Sequence, residues 1–224
     1  MSIEFRRFDP YLTRDLRTEA LTARGRLKVL PASFYASTSV EERAVFGART
    51  AAYVLPTTEL VEWLRRFIGG RSALEIGAGN GVLAEALGIT AADSCMQRRP
   101  EIAAYYRALQ QPVVQYGANV QERDAQAAVR HYKPKVVVAA WVTHKYEADR
   151  HDAGGNQDGV AEEDVIAQCE SYVFIGNRHV HRGKSIWKLP HVSFEPPWLY
   201  SRAHNGSPDF IAVWGRVPGP LADV

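Results

Sequence analysis

Between Ala73 and Gly81 the chain reads Ala-Leu-Glu-Ile-Gly-Ala-Gly-Asn-Gly, a short apolar run carrying an acid and then glycines at alternate positions. No other stretch restricts the fold as strongly. Glycine accepts the left-handed backbone of a sharp turn and lets a ligand lie against the main chain. Val82, Leu83, Ala84 and Leu87 then supply the apolar face of a helix that begins at once. Strand, glycine turn and helix in immediate succession are the opening unit of a parallel α/β sheet, and a nucleotide-like cofactor is the natural occupant of such a turn.

The rest of the chain continues that alternation. Strands are expected at 72–77, 89–93, 112–116, 135–142 and 171–176, with helices at 81–88, 99–110, 124–132 and 161–170 between them. Upstream, Leu60, Val61, Leu64, Phe67 and Ile68 fall on one helical face after a cap at Thr57 or Thr58, and Gly69-Gly70 stops that helix. Two strand-like runs, 197–203 and 209–216, flank His204-Asn205-Gly206-Ser207-Pro208 and predict a closing antiparallel hairpin. The polar stretch 147–164 reads as a mobile loop. Residues 1–56 hold seven basic residues and four acids before Val29 without a sustained period, and read as an N-terminal extension or lid. The expected organisation is therefore a lid over 1–56, a cofactor-binding domain over 57–216 and a tail over 217–224.

Composition removes several classes. A chain of 224 residues, 46% of them hydrophobic, can bury one substantial core. The 27 Lys and Arg exceed the 25 Asp and Glu by two, so charge does not indicate nucleic acid as a partner, although it does not forbid one. Cys95 and Cys169 are too few for a disulfide framework and lack metal-ligand spacing, which predicts a reducing, cytoplasmic setting. The longest apolar run, Val136 to Val142, is far short of a bilayer span, and no membrane partner is expected.

The spacing of the glycines separates two cofactor classes. A dinucleotide fingerprint needs glycine or alanine three places after its second glycine, and that place holds Val82, which argues against a nicotinamide-dependent oxidoreductase. The run Glu75-Ile76-Gly77-Ala78-Gly79-Asn80-Gly81 instead resembles the first motif of the class I S-adenosylmethionine-dependent methyltransferases. That resemblance implies a three-layer Rossmann-like α/β fold, with a mostly parallel seven-stranded sheet ending in an antiparallel hairpin. It also implies S-adenosyl-L-methionine as cofactor and methyl transfer as activity. By the same resemblance Glu75, Gly77, Ala78, Gly79, Asn80 and Gly81 would bind the cofactor, Asp93 would receive the ribose hydroxyls and Asp124 the adenine amino group. A carboxylate accepts two hydrogen bonds from a vicinal diol, which suits Asp93 to the task. From the residues themselves, Glu75 either contacts the methionine amino group through water or orients the glycine turn. Asp124 stands equally well as an N-cap, and Tyr53 and Thr57 either touch the ligand or serve as a core aromatic and a helix cap.

Methyl transfer is an in-line displacement, so the protein chiefly aligns donor and acceptor and excludes water. Any base belongs at the carboxyl ends of the fourth and fifth strands. There the chain offers Trp141, Thr143 and His144, then Arg178, His179 and His181. His144 is the candidate general base, Trp141 a stacking surface or a core residue, and Arg178 an anion anchor. The fourth strand end lacks the Asp/Asn-Pro-Pro-aromatic and Pro-Cys motifs of base-modifying families, which favours a small-molecule, RNA or protein acceptor over a DNA base. His179, His181 and His191 lack a carboxylate or cysteine at matching spacing, and no metal is expected. A binding protein that regulates without turnover is the alternative to an enzyme.

Overall fold

The computed structural model describes residues 13–219 and is a mixed α/β structure. Arg6 and Arg7 of the basic N-terminal run, and the tail from residue 220, lie outside the described residues. Three helices open it, α1 (Arg17–Ala20), α2 (Ala32–Ala36) and α3 (Val40–Thr50), followed by a two-residue strand β1 (Val54–Leu55) and helix α4 (Thr58–Ile68). Then come β2 (Ala73–Ile76), α5 (Val82–Leu87), β3 (Thr90–Asp93), α6 (Pro100–Ala108), β4 (Val120–Glu122), α7 (Ala125–Tyr132) and β5 (Val136–Ala140). The chain ends with α8 (Glu162–Ile166), β6 (Ser171–Asn177), β7 (His191–Phe194), β8 (Tyr200–Ser201) and β9 (Asp209–Gly215).

Seven strands form one sheet in the order β4-β3-β2-β5-β6-β9-β7. The first five are parallel, and β9 inserts antiparallel between β6 and β7. Five parallel strands ordered 3-2-1-4-5 are the doubly wound arrangement, and the fold is Rossmann-like. Successive side chains leave a strand on opposite faces, and both faces are covered here. Val137, Ala139, Tyr172 and Phe174 pack with Ala128, Val129 and Val165 of α7 and α8. Val136, Val138, Val173 and Ile175 pack with Leu60, Leu64 and Phe67 of α4. Burial on both sides explains why β5 reads Val-Val-Val-Ala-Ala without alternation.

Helix α4 starts as expected: the Thr57 hydroxyl accepts the Leu60 amide at 3.1 Å, and Gly69 ends the helix in a left-handed turn. The N-terminal helices form a smaller core in which Leu16, Tyr35, Phe46 and Leu55 meet Val82 of α5, so this segment is packed onto the sheet domain.

Three expectations are corrected. The third strand is Val120–Glu122, not 112–116. Pro112 has no amide and the Val114 amide is taken at 2.8 Å by the Gln97 side chain, so that run cannot join a ladder. The antiparallel partners of β9 are β6 and β7, not 197–203. Pro196 precedes the latter run and Pro197 opens it, neither with an amide to donate, and only Tyr200–Ser201 pair, with β1. The stretch 147–164 is tied down by main-chain bonds: Lys145 to Val160, Val160 to Thr143, Asn156 to His144 and Tyr146 to Asn156, all between 2.8 and 3.0 Å. It forms a two-ply strap, and α8 starts inside it.

Candidate functional site

The glycine turn lies at the carboxyl end of β2, the position at which open α/β sheets hold ligands. Gly77, Gly79 and Gly81 take φ of +58°, +53° and +69°, values that L side chains adopt only with strain. A Cβ on Gly77 would come within 2.6 Å of Val142 Cγ1, and one on Gly81 within 2.6 Å of Val120 Cγ2. Both glycines are therefore required by the approach of neighbouring strand ends. At Gly79 the nearest atom to such a Cβ, Val114 Cγ1, is 3.4 Å away.

The turn opens into a cavity of about 220 Å³. Gly77, Ala78, Gly79 and Asn80 line it, and so do Glu75, Asp93 and Asp124. Gly81 does not: it caps α5 and its carbonyl accepts the Asn119 side-chain amide at 2.9 Å. Asn80 Oδ1 accepts the Val82 amide at 3.1 Å, which closes the turn onto the helix.

Glu75 is 3% exposed, and its Oε2 accepts the Ala84 amide at 2.9 Å. Burial pushes its carboxyl up to about 8, with the Asp93 charge adding in the same direction and the Ala84 amide opposing. Asp93 closes β3 and braces the turn, with Oδ2 accepting the Gly79 amide at 2.9 Å and Oδ1 the Cys95 amide at 2.8 Å. Burial raises its pKa, while those two amides pull the other way. Each carboxylate oxygen has a second lone pair, so a diol in the cavity finds acceptors there. Asp93→Ala is expected to weaken a diol-bearing ligand by about 1.5–3 kcal/mol, the worth of hydrogen bonds to a charged group. Calorimetric titration checks this, and an unchanged affinity would place the diol elsewhere. Asp124 is the N-cap of α7, accepting the Ala127 amide at 2.9 Å, and it also lines the cavity, so capping does not keep this residue out of the cavity wall.

The opposite walls come from segments outside the glycine-rich motif. Gln97 stitches one wall together: its Nε2 donates to Tyr106 Oη at 3.2 Å, and its backbone amide donates to Tyr116 Oη at 3.3 Å. Leu27, Ala51, Tyr53, Val54 and Pro56 of the N-terminal segment line another side. The strap contributes Asn156, Asp158, Gly159 and Val160, and an Arg99–Asp158 ion pair ties it to the residue preceding α6. A sequence clue to the first wall existed, since Ser94, Met96 and Gln97 follow directly on the second-strand acid.

The strand-end residues divide. Trp141 and Thr143 line the cavity. Trp141 sits in the left-handed region at φ +59°, its ring edge-on to His181 at 5.1 Å and tilted against Tyr53 at 5.9 Å. His144 lies just outside the lining: its Nε2 is buried without a partner, and burial followed by the Lys184 charge lowers its pKa. The other three are turned away from the cavity. Arg178 pairs with Glu195 at 2.8 Å and covers the Phe210 ring, while His179 is exposed with its carbonyl bound to Arg182. His181 is buried, and its Nδ1 accepts the Asn177 amide at 3.0 Å. Burial pushes His181 down to about 3, so it stands neutral in the core. None of the three lines the cavity: Arg178 and His181 are held against β9 and β6, and His179 is exposed.

Among the described residues, no helix is long and apolar enough to cross a membrane. No protein-family model matches the chain. No curated protein matches it in sequence. Similar solved structures include an rRNA methylase from Streptococcus thermophilus, 12% identical, covering 68% of this chain and 92% of that one at a TM-score of 0.38. The 23S rRNA methyltransferase ErmE is 11% identical, with 71% and 68% covered and a TM-score of 0.37. A Pyrococcus abyssi tRNA (uracil-54, C5)-methyltransferase in complex with S-adenosyl-L-homocysteine is 12% identical, with 69% and 37% covered and a TM-score of 0.34. The Rossmann-like assignment itself rests on the strand order and register of this sheet.

Proposed function

We propose that the chain is an S-adenosyl-L-methionine-dependent methyltransferase that holds its cofactor in the cavity beside the glycine turn. One observation carries the reading: two carboxyl groups, the buried Glu75 and the half-buried Asp93, flank a left-handed glycine turn at the end of the first sheet strand and line the same cavity. The residues present fit this cofactor. Glu75 suits its cationic amino acid end, Asp93 its ribose diol, and Met96 and Val114 give the apolar surface an adenine ring needs. When bound, the cofactor supplies an electrophilic methyl group on sulfur.

The chain's own residues then orient and enclose. The glycine turn and Asp93 hold the ligand, and the N-terminal segment and the strap exclude water from the reacting atoms. In this reading residues 1–56 act as the cover, 57–216 as the catalytic domain and 217–224 as a tail. Trp141 and Thr143 face the acceptor, a small molecule, an RNA or a protein, and the unpaired Cys95 and Cys169 support a cytoplasmic setting. His144, with its unpartnered Nε2, serves as base only if the strap shifts to bring it into the cavity.

Calorimetry with S-adenosylmethionine, S-adenosylhomocysteine and NAD tests the site, and formation of S-adenosylhomocysteine from the methylated cofactor in a cell extract tests turnover. Binding of the adenosyl sulfonium with turnover is expected. Binding without turnover, in the presence of every acceptor fraction, would favour the regulatory alternative, for which a cavity wall without histidine among the described residues speaks. Preference for NAD would overturn both.

A further inference from the structure

Behind the exit of β5 lies an ion pair that the proposed chemistry does not use. Lys184 and Glu162 meet with their side chains 0% and 1% exposed. The Lys184 ammonium donates to Glu162 and, at 2.9 Å, to the carbonyl oxygen of Val142, and it lies 4.4 Å over the Phe174 ring. Tyr172 donates its hydroxyl to the second Glu162 oxygen at 2.7 Å. The network is thus satisfied, though deeply buried. A desolvated pair of this kind does no more for stability than well-packed apolar residues of the same volume. What apolar residues could not do is hold the Val142 carbonyl.

That carbonyl sits at a critical point of the chain. Val142 follows the left-handed Trp141, and its Cγ1 is the atom that closes on Gly77. The next residue, Thr143, begins the strap by accepting the Val160 amide at 2.9 Å. Lys184 therefore holds the chain where it leaves the sheet between glycine turn and strap, two walls of one cavity.

We propose that Lys184 is a positioning residue for the cofactor cavity: its ammonium, compensated by Glu162 and Tyr172, anchors the Val142 carbonyl and so sets Val142 against Gly77 and the strap over the site. The proposal rests on the reading of that cavity as the S-adenosylmethionine site. It requires no movement of the pair and assigns Lys184 no contact with the ligand.

The test compares three variants by thermal melting, by calorimetry with S-adenosylhomocysteine and by amide exchange in the ligand-free protein. Lys184→Met alone strands the Glu162 charge and is expected to melt much lower or fail to fold. The double variant Lys184→Met with Glu162→Leu removes both charges. It strands no charge but leaves the Tyr172 hydroxyl and the Val142 carbonyl unpaired, so it is expected to melt between the single variant and the wild type, and to lose about tenfold or more in affinity because the Val142 carbonyl has lost its donor. Its Val160 and Lys145 amides should exchange about tenfold faster. Glu162→Gln also leaves an uncompensated buried charge and is expected to melt lower, but it keeps the amine and its bond to Val142, and the folded variant is expected to stay within about threefold of wild-type affinity. Equal affinity losses in the double and Gln variants, or a double variant with unchanged affinity and exchange, would overturn the proposal. Faster exchange in the double variant of a protein whose wild type binds no S-adenosylhomocysteine would support the positioning while sinking the methyltransferase reading.

Discussion

Gly79→Val is expected to reduce the affinity for S-adenosylmethionine by about 100-fold or more, a loss of about 2.7 kcal/mol, while the protein still folds. Gly79 lines the cavity, and the nearest atom to an added Cβ is 3.4 Å away, so there is room for the first carbon. The backbone stands at φ +53°, where a β-branched side chain costs about 1–2 kcal/mol. The branch of valine would also fill space the ligand needs. Gly77 is the contrasting position, because its Cβ would strike Val142 at 2.6 Å and a substitution there would disturb the sheet end itself. Calorimetry and a melting curve on Gly79→Val separate the two effects. Wild-type affinity in a folded variant would remove the turn from the site.

Binding of S-adenosylmethionine is expected to release close to one proton near pH 6 and about half a proton at pH 8, with affinity rising by about tenfold per pH unit at the lower end of that window and less steeply towards its upper end. The source is Glu75, whose carboxyl is pushed from an ordinary value of 4.5 to about 8, chiefly by burial. The folded, ligand-free protein therefore keeps a proton that the unfolded chain has lost. Its stability is full below about pH 4.5 and declines as pH rises towards 8. A cationic ligand beside Glu75 favours the carboxylate and expels that proton on binding. Titrations in buffers of different ionisation enthalpy count it, and Glu75→Gln should flatten the profile. A pH-independent affinity in the wild type would show that Glu75 does not meet the charged end of the ligand.

Much of the architecture was legible in the residues because local rules governed it. The Thr57 cap, the Gly69 stop and the apolar stripe of α4 are satisfied within a few residues of chain, and β5 and β6 announce themselves as continuous apolar runs. The glycine turn was legible for the same reason, and so was Asp93 at the end of β3. Misreadings arose where a distant partner took over. Val114 looked like a strand residue until the Gln97 side chain claimed its amide. The run 197–203 looked like half of a hairpin, yet its two pairing residues went to β1, far upstream.

The site divides along the same line. Local sequence determined the turn, its left-handed glycines and the two acids beside it, because backbone sterics and strand length act over a handful of neighbouring residues. That Arg178, His179 and His181 stay out of the cavity wall was decided only by the packing of the β6–β7 connection, which buried His181 and sent Arg178 to Glu195. The Lys184–Glu162 pair spans 22 residues, and the Arg99–Asp158 tie spans 59. Contacts between such remote positions carry no periodic or compositional mark, since they exist only once the sheet has brought its strand ends together.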